Sequence, residues 1–405
     1  MAMTYRAMSN GKKVSLLGYG AMRFPTRPGS NEFDQDEIER QIKYMLDHGV
    51  NYFDTSPAYS RGESERRLGA ALEKSGYPRD SYVLATKLSN FAAEQFSAER
   101  SRELFENSLK HLRTDYIDNY LLHSIGNGGF ETFSKRFLEN GMVDWCAEQR
   151  AAGRIKNLGF SFHGDPATFD WCMENHGKYR WDFAMIQMNY IDWNNAKAIN
   201  ARNLDASYLY GELEKRSIPV VIMEPLLGGR LANFNQAIAR ELAPLDPEAT
   251  MASWAFRFCG TYPEVMTILS GMSRMEHIEE NVATFSPLKP CSAEELAALK
   301  RAAAAYLACN PLPCNKCNYC MPCPYGLDIP AILTFRNDFL TEDKKFAPGE
   351  ILAAYAKYVP EELRRADHCT ACGKCNPHCP QQINVPEEIA AIDRVIDGLK
   401  GEVLR

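Results

Sequence analysis

The sequence is poor in the features that would place it outside a globular, intracellular class. It has no stretch of about 20 apolar residues, and its longest apolar runs are strand-length, so no transmembrane helix is expected. The opening "MAMTYRAMSNGKKVSLLGYG" lacks the apolar core of a secretory leader, which makes a cytoplasmic location the expectation. No basic block interrupts the chain, and the net charge of −6 is spread along it, so neither nucleic acid nor an anionic membrane is an expected partner. The first 300 residues are also poor in cysteine. Cys146, Cys172, Cys259, Cys291 and Cys309 are scattered, as small buried apolar residues are.

What is present has two halves of different character. At 405 residues, 45% of them hydrophobic and 24% charged, the chain suits one large domain with a smaller one behind it. Eight short runs read as strands: Leu16–Gly20, Tyr52–Asp54, Val83–Thr86, Asn119–Leu122, Asn157–Phe160, Ala184–Met188, Val220–Met223 and Val265–Leu269. Most are continuously apolar, as strands buried on both faces are. Amphipathic segments lie between them. "DQDEIERQIKYMLDHG" puts Ile38, Ile42, Met45 and Leu46 on one face and closes with glycine. "SERRLGAALEKSG", "ERSRELFENSLKHL" and "FLENGMVDWCAEQRAAG" have the same look. Eight such units predict an α/β fold, a (β/α)8 TIM barrel over 1–290. An open doubly wound sheet is the alternative, weakened by the missing Gly-x-Gly-x-x-Gly after the first strand.

Past residue 290 the pattern changes. "CSAEELAALKRAAAAYLAC", "IPAILTFRNDFL", "PGEILAAYAKY" and "PEELRRA" read as helices, and two of them begin beside a proline at a first helical position. Two cysteine runs frame the last three. Cys314, Cys317, Cys320 and Cys323 form the first; Cys369, Cys372, Cys375 and Cys379 form the second. The first three cysteines recur 55 positions on and the fourth 56, and "CPYGLDIPAI" parallels "CPQQINVPEEI", so the runs are an internal repeat. The second follows C-x₂-C-x₂-C-x₃-C-P, the spacing of bacterial two-cluster ferredoxins. Zinc more usually takes two separated knuckles than four near-contiguous thiols. In such ferredoxins the fourth cysteine serves the other cluster. The expectation is that Cys379 joins Cys314, Cys317 and Cys320, while Cys323 joins Cys369, Cys372 and Cys375. The segment resembles the α-helical ferredoxin modules of fumarate reductase and related enzymes. That resemblance implies a mostly helical ferredoxin-like domain over 291–405 carrying two 4Fe–4S clusters that pass single electrons.

Barrel active sites form where strands end at the C-terminal face. Asp54 ends the second strand in "DTSPAYSRGES", with Tyr59 in the loop behind it. Lys87 ends the third in "VLATKL", and His123 the fourth in "YIDNYLLHS". With "VSLLGYGAMR" and "NYFDTSPAYSRGESERRLGAAL", these motifs resemble the aldo-keto reductase family over about residues 5–285. The resemblance implies that Tyr59, Asp54, Lys87 and His123 form that family's catalytic tetrad. Tyr59 would protonate the carbonyl oxygen, Lys87 would lower its pKa, Asp54 would hold the lysine, and His123 would orient the substrate.

The same resemblance implies an NADP or NAD site. Ser161 in "NLGFSFHG" and Gln187 in "MIQMNY" match carboxamide contacts, although Phe162 stands where an asparagine is usual and His163 is the substitute. Met223 takes the place of an aromatic that stacks on the nicotinamide. Gly228, Gly229 and Arg230 match pyrophosphate contacts, Glu280 and Asn281 adenine contacts, and Arg274 is the strong cation near the 2′-phosphate position. The expected reaction is reduction of a small-molecule carbonyl or oxidation of its alcohol. Nicotinamide moves two electrons and a cluster one. A flavin would ordinarily mediate, and no flavin motif is visible. A ferredoxin-like electron partner, a structural or redox-sensing role for the clusters, and cluster-driven reduction without nicotinamide stay open. So does a non-catalytic nicotinamide or redox sensor.

Overall fold

The computed structural model describes residues 2–27, 30, 32–233, 235–309, 311–341, 346–360, 365–379 and 381–403. The chain packs as two compact units. The first holds 1–197, 202–226 and 252–292; the second holds 198–201, 227–251 and 293–405.

The first unit opens on an antiparallel hairpin of β1 (Tyr5–Ala7) and β2 (Lys13–Ser15). Eight parallel strands follow: β3 (Leu17–Gly20), β4 (Tyr52–Asp54), β5 (Val83–Leu88), β6 (Ile117–Ile125), β7 (Ile155–Phe162), β8 (Phe183–Gln187), β9 (Val220–Met223) and β10 (Val265–Ser270). They pair in chain order, and β10 pairs with β3 to close the barrel. All eight strands expected from the sequence are present, so the open doubly wound alternative falls. Alternate residues point inward. Tyr52, Val83, Ala85, Leu121, Phe183, Met185, Val221 and Met266 fill the interior, and Met8 and Val14 join them from the hairpin. One inward row is polar. Asn157 donates to Asn119 Oδ1 at 2.9 Å, and Asn119 donates to Tyr52 OH at 2.9 Å, while Asn157 Oδ1 is buried with no hydrogen-bond partner among the described residues.

Helices cover the outside. Asp34 caps Gln35–Asp47 by accepting from the Glu37 amide at 3.2 Å, and Ile38, Ile42, Met45 and Leu46 are buried as expected. Ser64–Ser75 ends at Gly76 in the left-handed region, and Ser97 caps Ala98–Leu112. The stretch read as one segment from Phe137 is broken. Its α-helix is Met142–Ala151, because Gly141 turns the chain at φ 68° and Asn140 Oδ1 accepts from the Met142 amide.

In the second unit Gln236–Leu242 packs against Ala293–Ala308. Helices Ile329–Phe339, Pro348–Tyr358 and Val385–Val403 share a core of Ile332, Leu333, Phe335, Tyr355, Ile389 and Ile392. The expected helix "PEELRRA" lies largely outside the described residues. Cys146, Cys172, Cys259, Cys291 and Cys309 are all buried. No described helix is long and apolar enough to cross a membrane.

Candidate active site and the two thiol clusters

Three successive strands, β4, β5 and β6, and the turn after β4 that carries Tyr59 bring the expected four residues together. Asp54 pairs with Ala85 across β4 and β5, two residues before Lys87, so both side chains leave the sheet on the same side. Lys87 Nζ donates to Asp54 Oδ1 at 2.5 Å and to the Thr55 carbonyl at 2.8 Å. The lysine side chain has no exposure and the aspartate 3%, so this is a buried ion pair. Removing either partner would strand the other charge, a loss on the order of 3–5 kcal/mol. Asp54 Oδ2 is buried with no hydrogen-bond partner among the described residues. Lys87 Nζ stands 4.7 Å from the centre of the Tyr59 ring, and that ring meets His123 edge-on at 5.8 Å.

Burial raises the Asp54 pKa and the Lys87 charge opposes the rise. Burial also pushes Tyr59 well above the ordinary tyrosine value, and the carboxylates of Asp54 and Glu224 add to it. The net direction is upward because desolvation outweighs whatever lowering Lys87, already paired with Asp54, exerts from 4.7 Å. Tyr59 is therefore held protonated. His123 is driven well below its usual value by burial, then by Lys87, His163 and Arg136, so its ring is neutral.

Several residues that the sequence reading missed hold His123. Its Nδ1 lies 2.6 Å from Ser89 Oγ and 3.3 Å from Ser56 Oγ, and the two hydroxyls are 2.8 Å apart. Ser56 and Ser89 stand two positions past Asp54 and Lys87, an i, i+2 spacing that could have found them. Arg136, in the short helical segment Ser134–Leu138, donates to the His123 carbonyl at 2.7 Å and to the Asn90 carbonyl at 3.1 Å. Burial lowers its pKa to about 10.

The expected cofactor residues divide. Ser161 Oγ is buried and accepts the Ser124 amide at 2.8 Å, which leaves its own O–H for another acceptor. Gln187 Nε2 donates to Asp192 at 2.7 Å, and Met223 is half-buried at the end of β9. A carboxamide fits this end, with Ser161 as the available donor. Asn281 is buried and donates to Ser270 Oγ at 3.1 Å. Arg274 is exposed and donates to His277 Nε2 at 3.2 Å, and Glu280 is exposed. Gly228, Gly229 and Arg230 fall in the second unit, where 306–315 engages the first and last of them.

The cysteines of the second unit gather in two sets. The charge of Cys379 acts on Cys314 and Cys320, and Cys320 also feels Cys314 and Cys317. Cys375 feels Cys372, Cys369 and Cys323. Burial, then the neighbouring thiols, pushes the Cys320 thiol up to about 12, which keeps it protonated at neutral pH. A cavity of about 400 Å³ is lined by Cys320, Cys323, Cys369, Cys372 and Cys375. No three His, Cys, Asp or Glu side chains among the described residues close tightly enough around a point to hold a single metal ion. A cubane seats each thiolate on a different iron and takes a wider ring.

The sequence matches the aldo/keto reductase family over residues 16–304. The chain belongs to that family. It is an oxidoreductase of that family, and its named relatives include dehydrogenases and reductases. L-galactose dehydrogenase of Arabidopsis thaliana is 26% identical over 303 residues, covering 70% of this chain and 88% of the relative. D-arabinose 1-dehydrogenase of Saccharomyces cerevisiae is 31% identical over 182 residues, covering 43% and 51%. The holo aldo-keto reductase AKR11C1 from Bacillus halodurans superposes with a TM-score of 0.60 at 23% identity, covering 75% of this chain and 97% of that one. An aldo-keto reductase from Klebsiella pneumoniae in complex with NADP and acetate gives 0.57 at 22%, covering 74% and 95%. These structural likenesses carry the barrel fold.

Proposed function

We propose that the barrel, taken as residues 1–290, interconverts a small-molecule carbonyl and its alcohol with NADP or NAD, and that residues 291–405 form a ferredoxin-like domain with two 4Fe–4S clusters. The observation that carries the first half is the buried Lys87–Asp54 pair beside Tyr59 and His123 at successive strand ends. When bound, a nicotinamide supplies hydride to carbon and a cluster supplies single electrons. The chain's own residues do the rest. Tyr59, kept protonated, gives its proton to the carbonyl oxygen. Neutral His123, fixed through Nδ1 by Ser89 and Ser56, orients that oxygen. Lys87, fixed by Asp54, offsets the charge left on Tyr59 once the proton has gone.

Ser161, Gln187 and Met223 would hold the nicotinamide end, with Asn281, Glu280 and Arg274 at the adenosine end. The neighbour solved with NADP supports the cofactor class. The two thiol sets support the clusters, with Cys379 completing Cys314, Cys317 and Cys320, and Cys323 completing Cys369, Cys372 and Cys375. Eight clustered cysteines kept as thiols suit a reducing compartment, so we assign the cytoplasm, with a ferredoxin-like protein as electron partner. The test is protein purified without oxygen. About eight iron and eight sulfide per chain are expected, with NADPH or NADH oxidised by members of a carbonyl panel. Zinc in place of iron would end the cluster assignment. A panel in which no carbonyl accepts from either nucleotide would end the reductase assignment.

A further inference from the structure

Arg230 stands where the family resemblance puts a pyrophosphate contact, yet its guanidinium is engaged elsewhere. Nη1 donates to Tyr306 OH and to the Leu312 carbonyl, both at 3.2 Å, and Nε donates to the Leu227 carbonyl at 3.2 Å. Nη2 is buried with no hydrogen-bond partner among the described residues. The Leu312 carbonyl is fixed in turn, since Asn337 donates to it at 2.9 Å and accepts the Leu312 amide at 2.8 Å. Two residues on in the chain is Cys314. The glycine that would border a phosphate is filled as well. A Cβ on Gly228 would lie 2.2 Å from Asn315 Cβ and 2.5 Å from its Cα, and Gly228 has φ 69°, so this position takes only glycine. Asn315 lies between Cys314 and Cys317. The loop 227–230 is thus a seat for the first cysteine run.

Resting on the cluster reading above, we propose that Arg230 is the positioning and charge-setting partner of the centre built on Cys314, Cys317, Cys320 and Cys379, and not a clamp for a dinucleotide's phosphates. The step it governs is the transfer of one electron to that centre from an added one-electron donor, dithionite in the assay, which is oxidised by the same one electron, and no bond in the protein forms or breaks. The centre gains one negative charge. A fixed guanidinium beside one ligand favours the more negative form and raises the reduction potential. The same engagement removes Arg230 from the cofactor's reach.

The test uses the full chain, purified without oxygen and assayed first for iron and sulfide. The first centre's reduced fraction is read by paramagnetic resonance at set ambient potentials. Arg230→Gln should lower its reduced-to-oxidised ratio about tenfold at fixed potential, the scale of one partly screened charge. Arg230→Lys should restore most of it. Tyr306→Phe, which removes a hydrogen bond but no charge, should stay near the parent. NADPH affinity should hardly move in Arg230→Gln. Iron-loaded Arg230→Gln with an unmoved potential overturns the proposal and leaves the cluster reading standing. A drop in Tyr306→Phe equal to that of Arg230→Gln assigns the effect to packing and overturns it too, as does a tenfold loss of NADPH affinity. A parent chain without iron ends both readings.

Discussion

Tyr59 is the residue on which the proposed chemistry turns, and desolvation of its hydroxyl sets its state. Its hydroxyl stays protonated across the working pH range, because desolvation and the carboxylates of Asp54 and Glu224 all favour the neutral form. Tyr59→Phe keeps the ring against His123 and Lys87 and removes only the proton. Turnover should fall by about 10²–10⁴ with nucleotide affinity nearly unchanged. Steady-state rates within threefold of the parent would remove Tyr59 from the role. His163 gives a pH signature. Burial holds its folded-state pKa to about 4, against 6.5 in an open chain. The unfolded state therefore takes up the proton first. The stability that His163 contributes is complete above pH 6.5 and is lost as pH falls towards 4. Asp54 works in the opposite direction, since a carboxyl raised by burial binds its proton earlier in the fold than outside it. Comparing the parent with His163→Gln by denaturant titration isolates the histidine. The variant's stability should decline less steeply between pH 6.5 and 5. Parallel slopes would show that His163 titrates normally. The tetrad itself was legible in the sequence, because strand-end position and residue type are both written there. The grip of Ser56, Ser89 and Arg136 on His123 was not, because it depends on which side chains meet across neighbouring strands and a loop.

Between elements, Gly69 shows how closely the outer helices approach. A Cβ there would lie 2.4 Å from the His111 carbonyl oxygen and 2.9 Å from Leu112 Cα. Both are backbone atoms, so helices Ser64–Ser75 and Ala98–Leu112 would have to part. Gly69→Ala should cost about 1–3 kcal/mol, despite alanine's better helix propensity. A urea midpoint that does not fall would show that the helices can separate freely. Strands were easier to read than helix ends. A strand buried on both faces is a continuous apolar run, as at Val220–Met223. A helix boundary turns on one residue's backbone angle, and Gly141 was read as part of a continuing segment because its neighbours are apolar and helical in type.

At the scale of the molecule, the proposed clusters would tie distant parts of the second unit together. Cys379 lies in the second run yet acts on Cys314 and Cys320 of the first. Cys379→Ala should therefore damage the centre of the first run, roughly 55 residues upstream, and weaken the fold between them. Paramagnetic resonance of the reduced variant is the measurement. Loss of the Cys369, Cys372 and Cys375 signal instead, with the first centre intact, would show that each run completes its own cluster.

The sequence by itself determined the barrel, the three polar residues toward its strand ends with Tyr59 in the turn behind the first of them, and the two cysteine repeats. These depend on periodicity, residue type and spacing, all of which are local. Only the tertiary structure decided that 227–251 packs with 293–405, that Asn315 fills the face of Gly228, and that Arg230 turns to Leu312 and Tyr306. It also decided that Tyr59 is raised and not lowered. Each of these is set by which groups exclude water from one another, and residues far apart in the chain do that only once the chain has folded.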